Sequence, residues 1–139
     1  MNKITTYQMR NAKLRLLLII IVFCAGAYNC TAQNTEPFKK FWKSYTSDSV
    51  FQMERTKFPL PLTYYEYDED NETEITEDIG AEFWLFDNFV DESYKSRTEK
   101  ENDSYVVTKT GIENGIYVRY YFATTDGKWY LVRITDSSN

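Results

Sequence analysis

Two short turn signals near the C-terminus constrain this chain more than any other feature. Asp126-Gly127 separates the runs at 116–123 and 128–135, and Asn114-Gly115 separates 105–110 from 116–123. Asp-Gly and Asn-Gly adopt the positive φ angles that tight hairpin loops demand. Residues 105–135 are therefore predicted as three antiparallel strands. A two-residue loop at 126–127 sets Phe122 opposite Leu131, Thr124 opposite Trp129 and Tyr120 opposite Arg133. Side chains alternate across a strand, so Val118, Phe122, Trp129 and Leu131 are expected on one face, with Arg119, Tyr121, Tyr130 and Val132 on the other.

A sheet with one apolar face needs a cover, and the other end of the domain supplies a candidate. Glu36-Pro37 suits a helix start, because proline loses no hydrogen bond there and the acid complements the positive end of the helix dipole. Phe38, Phe41, Trp42 and Tyr45 follow at helical spacing and form one buried stripe, while Lys39, Lys40 and Lys43 fall on the solvated side. A second, short helix is expected from about residue 49. Ser49 with Gln52 has the form of a capping box, and Asp48 is the alternative cap. That helix must end before Pro59, because a residue preceding proline is pushed out of the helical region. From Phe58 the chain reads as a strand with Phe58, Leu60, Leu62 and Tyr64 on one face. Pro59 and Pro61 leave one of its edges without donors, so that edge is unpaired, bulged or covered by something other than a ladder.

The leader has its own signature. Lys3, Arg10, Lys13 and Arg15 precede the apolar run 16–24 and then small residues, the order of a secretory signal peptide. The run is shorter than the ~20 apolar residues of a membrane span. Cleavage is expected after Ala32, giving a leader at 1–32 and one domain at 33–139, periplasmic or secreted. Cleavage after Ala27 is the other small-residue site. Cys30 is a candidate lipid-attachment residue, although Tyr28 is bulky for a lipobox, and no structural disulfide is expected of Cys24 and Cys30. Of the chain's 16 basic residues, four lie in that leader, which leaves 12 against 21 acids, or −9. Such a field repels phosphate backbones and anionic headgroups, so nucleic acid is not an expected partner.

The middle of the chain is harder to assign. Residues 68–78 hold seven acids in eleven positions. Asp68, Asp70, Glu72 and Glu74 alternate as the first ligands of a calcium loop do. Yet Thr73 stands where glycine makes the turn and Ile79 where the bidentate acid belongs. An exposed acidic loop is expected, with no metal. Residues 81–86 are expected as a strand, 87–95 as helix or loop, and 96–104 as a charged loop.

The pattern F-x2-FW-x2-Y-x2-DSVFQ-x2-R-x2-FPL, from Phe38 to Leu60, resembles the opening of the domain-of-unknown-function family DUF4348, small exported Bacteroides proteins. The matching positions are Phe41, Trp42, Asp48, Phe51, Gln52, Arg55, Phe58, Pro59 and Leu60. Two helices before a sheet that ends in FATTDGKWYLVRI also resemble the NTF2-like, or cystatin-like, roll. The resemblance implies an α+β fold with N-terminal helices on a curved antiparallel sheet, and an envelope location. It implies no activity.

The chain has no histidine, and neither cysteine is expected to survive processing. This excludes His-based triads and Cys/His zinc sites, and no glycine-rich phosphate loop exists. No cofactor is expected. Gln52 and Arg55, three apart on one helical face, together with Tyr120 and Tyr121, are the candidate binding residues. The expected role is a non-enzymatic binding or scaffold domain for a small apolar ligand, a glycan or an envelope protein. Dimerisation through the outer sheet face is a further option. The alternative is a proton-transfer isomerase that pairs Asp87 or Asp91 with Tyr120 or Tyr121.

Overall fold

A computed structural model describes residues 34–69 and 71–139. The leader and Cys30 lie outside the described residues. Helix α1 (Phe38–Tyr45) follows Pro37, and its stripe turns inward: Phe38, Phe41 and Tyr45 are buried, Trp42 is half-buried, and the three lysines are exposed. Helix α2 (Ser49–Glu54) is capped by Asp48, whose Oδ1 accepts from the backbone N–H of Val50 (2.9 Å) and Phe51 (3.0 Å). This corrects the Ser49/Gln52 capping box. The Gln52 side chain is fully buried and makes its bonds elsewhere.

Six strands follow: β1 (Leu60–Asp68), β2 (Asn71–Ile79), β3 (Tyr94–Glu101), β4 (Ser104–Gly111), β5 (Tyr117–Thr125) and β6 (Lys128–Asp136). They form one sheet in the order β2-β1-β6-β5-β4-β3, antiparallel except where β1 runs parallel to β6. The α+β architecture is the expected one.

The segment after α2 explains the prolines. Thr56 bridges to Leu131 on the β6 edge, with Lys57 N–H donating to the Leu131 carbonyl and Leu131 N–H to the Arg55 carbonyl (2.9 Å each). The chain rejoins β6 only at Leu62, opposite Ile134. Pro59 and Pro61 occupy the excursion between, where no donor to β6 is required.

Three expectations fail here. Residues 68–78 are largely strand β2 rather than a loop, paired residue for residue with β1 from Leu60↔Ile79 to Asp68↔Asn71. Residues 96–104 are mostly strand β3 and the turn after it, paired with β4 from Tyr94↔Gly111 to Glu101↔Ser104. Both are edge strands covered in charge. Residues 81–86 form no strand: a 3-10 turn (Ala81–Phe83) leads into an irregular segment. That segment is held by side chains instead of a ladder, with Phe89 at φ 58.

The 126–127 hairpin is as expected, with φ of 51 for Asp126 and 72 for Gly127. Phe122 faces Leu131 and Thr124 faces Trp129, but a bulge then shifts the register, so Tyr120 faces Ile134 and Tyr121 faces Arg133. The extra β6 residue lets both Leu131 and Ile134 enter the core although they are three apart.

Candidate functional site

The space between helices and sheet is filled by rings. Phe38 stacks on Tyr105 at 3.9 Å and meets Trp129 edge-on at 5.3 Å. Phe122 takes the edges of Phe41 (5.7 Å), Trp42 (5.7 Å) and Tyr45 (5.3 Å). Each such pair adds roughly 0.5–1.5 kcal/mol beyond the area it buries. Phe41, Tyr45, Leu60, Phe122 and Leu131 are sealed from solvent.

One polar cluster sits inside this packing. Gln52 Nε2 donates to the carbonyls of Tyr45 (2.8 Å) and Asp87 (2.7 Å), and its Oε1 accepts from the Asp87 N–H (3.0 Å). The amide therefore ties α1 and α2 to the irregular segment. Asp87 Oδ1 accepts from the Phe89 N–H (2.7 Å), and its Oδ2 pairs with the ammonium of Lys109. Lys109 is buried on β4, its Nζ 4.5 Å from the ring centre of Phe89, 4.4 Å from Tyr94 and 5.3 Å from Tyr120. Burial pulls its pKa down, but bonding to Asp87 together with the contributions of Tyr120 and Tyr94 outweighs this, and the net shift is upward. Burial pushes the Tyr120 hydroxyl up to about 12, against the pull of Lys109. The Tyr45 hydroxyl is also raised by burial, while it bonds Thr56 Oγ1 at 2.9 Å.

A second cluster clasps the end of the sheet. Glu36 Oε1 accepts from Arg55 (2.7 Å) and from the Trp129 N–H (2.9 Å), while the Trp129 indole donates to the Glu36 carbonyl (2.9 Å). Arg55 also donates to the Trp129 carbonyl (3.1 Å) and lies 4.8 Å from the Phe51 ring centre. Partial burial would raise the Glu36 pKa, but the bonds from Arg55 and the Trp129 backbone hold it below the usual glutamate value.

Among the described residues, the opposite face of the sheet has no helix over it. There Thr63, Tyr65 and Glu74 of the β1–β2 ribbon, Tyr117, Arg119 and Tyr121 of β5, and Arg133 and Thr135 of β6 line a trough of about 340 Å³. Arg133 lies 3.9 Å over the Tyr121 ring and makes no ion pair among the described residues. Arg119 lies 5.1 Å from the same ring and pairs with Glu101 (2.7 Å). Tyr65 donates to Glu74 (3.1 Å).

The four candidate residues do not meet. Gln52 and Tyr120 face inward, Arg55 belongs to the clasp, and Tyr121 lies on the open face. The isomerase pairing fares no better. Both Asp87 oxygens are engaged, Asp91 is exposed in a turn with Ser93, and Tyr121 lies on the far side of the sheet from Asp87. Sequence reasoning missed Lys109 and Arg133. Lys109 had a signal, since it alternates with Tyr105 and Val107 on an otherwise apolar strand face. Arg133 had none, because the bulge decides its orientation.

Comparison with known proteins accords with this architecture. A family model described as a domain of unknown function, DUF4348, matches residues 26–136. The chain belongs to the DUF4348 family. Among solved structures, a cystatin-like protein from Bacteroides caccae is 33% identical to this DUF4348 chain, with a TM-score of 0.54, covering 74% of it and 77% of that chain. A protein from Bacteroides uniformis is 30% identical with a TM-score of 0.51, covering 72% and 76% respectively. An NTF2-like protein from Bacteroides fragilis, 23% identical with a TM-score of 0.56, shares the fold over 76% of this chain. The match spans only 49% of that larger protein. A search of curated proteins found no match.

Proposed function

We propose that this protein is an exported, non-enzymatic binding domain of the cell envelope that takes an extended polar ligand, a glycan, on its open sheet face. The carrying observation is the contrast between the two faces. The inner face is filled by interlocking rings, and the side chains of Gln52, Asp87 and Lys109 within it bond to one another and to the backbone. The outer face presents Tyr117 and Tyr121 beside Arg119, Arg133 and Glu74 in a trough that no described residue covers. Tyrosine rings stack on the apolar faces of sugar rings, while arginine and glutamate match their hydroxyls, and stacking on such rigid side chains costs little conformational entropy. Export is read from the leader sequence at residues 1–32.

A titration of ¹⁵N-labelled residues 33–139 with a galacturonate trisaccharide and, separately, maltotriose tests this reading. Shifts are expected at the amides of Tyr117, Arg119, Tyr121 and Arg133 with at least one of the two sugars, and they should vanish in Tyr121→Ala. Shifts confined to Phe122, Leu131 and the Trp129 indole, or none with either sugar, would overturn it.

A further inference from the structure

The segment 80–93 and helix α2 together expose apolar side chains that neither the fold nor the sheet trough uses. Val50 is 66% exposed, Phe83 73%, Leu85 82% and Val90 77%, with Met53 and Phe86 also at the surface. Val50, Met53, Trp84 and Phe86 line a groove of about 360 Å³, with Ser49 and Glu54 at its margin. A folded domain gains nothing from holding several large side chains in water on one side, and contiguous patches of this kind mark interaction sites. The placement is enforced, because Gln52 and Lys109 hold Asp87 in the middle of the segment and leave the neighbouring side chains facing out.

Charge decides between occupants. The two segments that build the patch, 46–54 and 80–93, contain no lysine or arginine, and Asp48, Glu54, Glu82, Asp91 and Glu92 are all exposed on them. A second copy docked through this patch would set acid against acid, and an anionic membrane would be repelled. A basic amphipathic segment would bury apolar side chains in the groove and face its cations to the rim. The Trp84 ring lines the groove, and its indole N–H, buried from solvent, has no acceptor among the described residues. We infer that the α2/84–90 surface is a docking site for a basic, amphipathic segment of a partner protein.

A synthetic amphipathic peptide of leucine and lysine is the probe, with a leucine–glutamate peptide of the same pattern as its control. The leucine–lysine peptide should bind the 33–139 domain, shift the amides of Val50, Met53 and Phe86 together with the Trp84 indole N–H, and lose about tenfold or more in affinity in Phe86→Ser. Val50→Ser gives a second reading at an exposed position where folding is not at risk. No binding by this peptide, equal binding by the glutamate peptide, or shifts that map elsewhere would overturn the inference. So would a dimer, or capture by anionic phosphatidylglycerol vesicles, that Phe86→Ser abolishes.

Discussion

Gln52 illustrates how a single side chain can carry more structure than its position suggests. With no solvent exposure it makes three hydrogen bonds that join two helices to the segment around Asp87. Truncation to alanine strands buried backbone groups, each costing roughly 1–3 kcal/mol. Gln52→Ala should therefore lose about 3 kcal/mol in urea unfolding. It should also loosen residues 84–90, seen as faster amide exchange there than in β5. Glu36 makes a different prediction. Its pKa in the folded state lies below the ordinary value of 4.5, so its contribution to stability is complete above about pH 4.5 and is lost as the pH falls below it. The difference in melting temperature between the protein and Glu36→Gln should be constant near neutrality and shrink below pH 4.5. A difference that grows in acid would refute the clasp.

At the scale of elements, what could be read in advance follows from burial. Helix α1 and strands β4 to β6 were legible because each turns one apolar stripe inward with the period of its secondary structure. Strands β2 and β3 were not legible, because they are the two edges of the sheet. Edge strands carry charge to discourage pairing with other chains, so NETEITEDI and YKSRTEKE read as loops. The exposed phenylalanines at 83 and 86 misled in the opposite direction, since an apolar run suggested a buried strand. The bulge in β6 has no marker residue, which is why the partner of Tyr120 was misassigned and the Arg133–Tyr121 pair of the sheet trough was unforeseen. The start of α2 offers a clean discrimination. Asp48→Ala should cost about 1 kcal/mol, whereas Ser49→Ala should be nearly neutral, measured by thermal or urea unfolding. Equal losses would mean that the serine shares the cap.

For the whole molecule, sheet order and packing combine into a division of labour between two faces. The ring cluster around Phe41, Tyr45 and Phe122 closes the concave side, where a roll could otherwise hold a ligand, so the recognition proposed above falls to the open face and to the acid-rimmed patch beside α2. The fold was legible from spacing and resemblance. The candidate site was only partly so, because it depends on which face each tyrosine takes after the bulge. The most direct test of the closed interior is a crystal of residues 33–139 pressurised with xenon, which occupies apolar voids. No xenon site is expected between α1 and the sheet, with any bound atoms confined to the surface groove of α2. An ordered xenon atom among Phe41, Tyr45 and Phe122 would reveal an internal cavity and contradict the account.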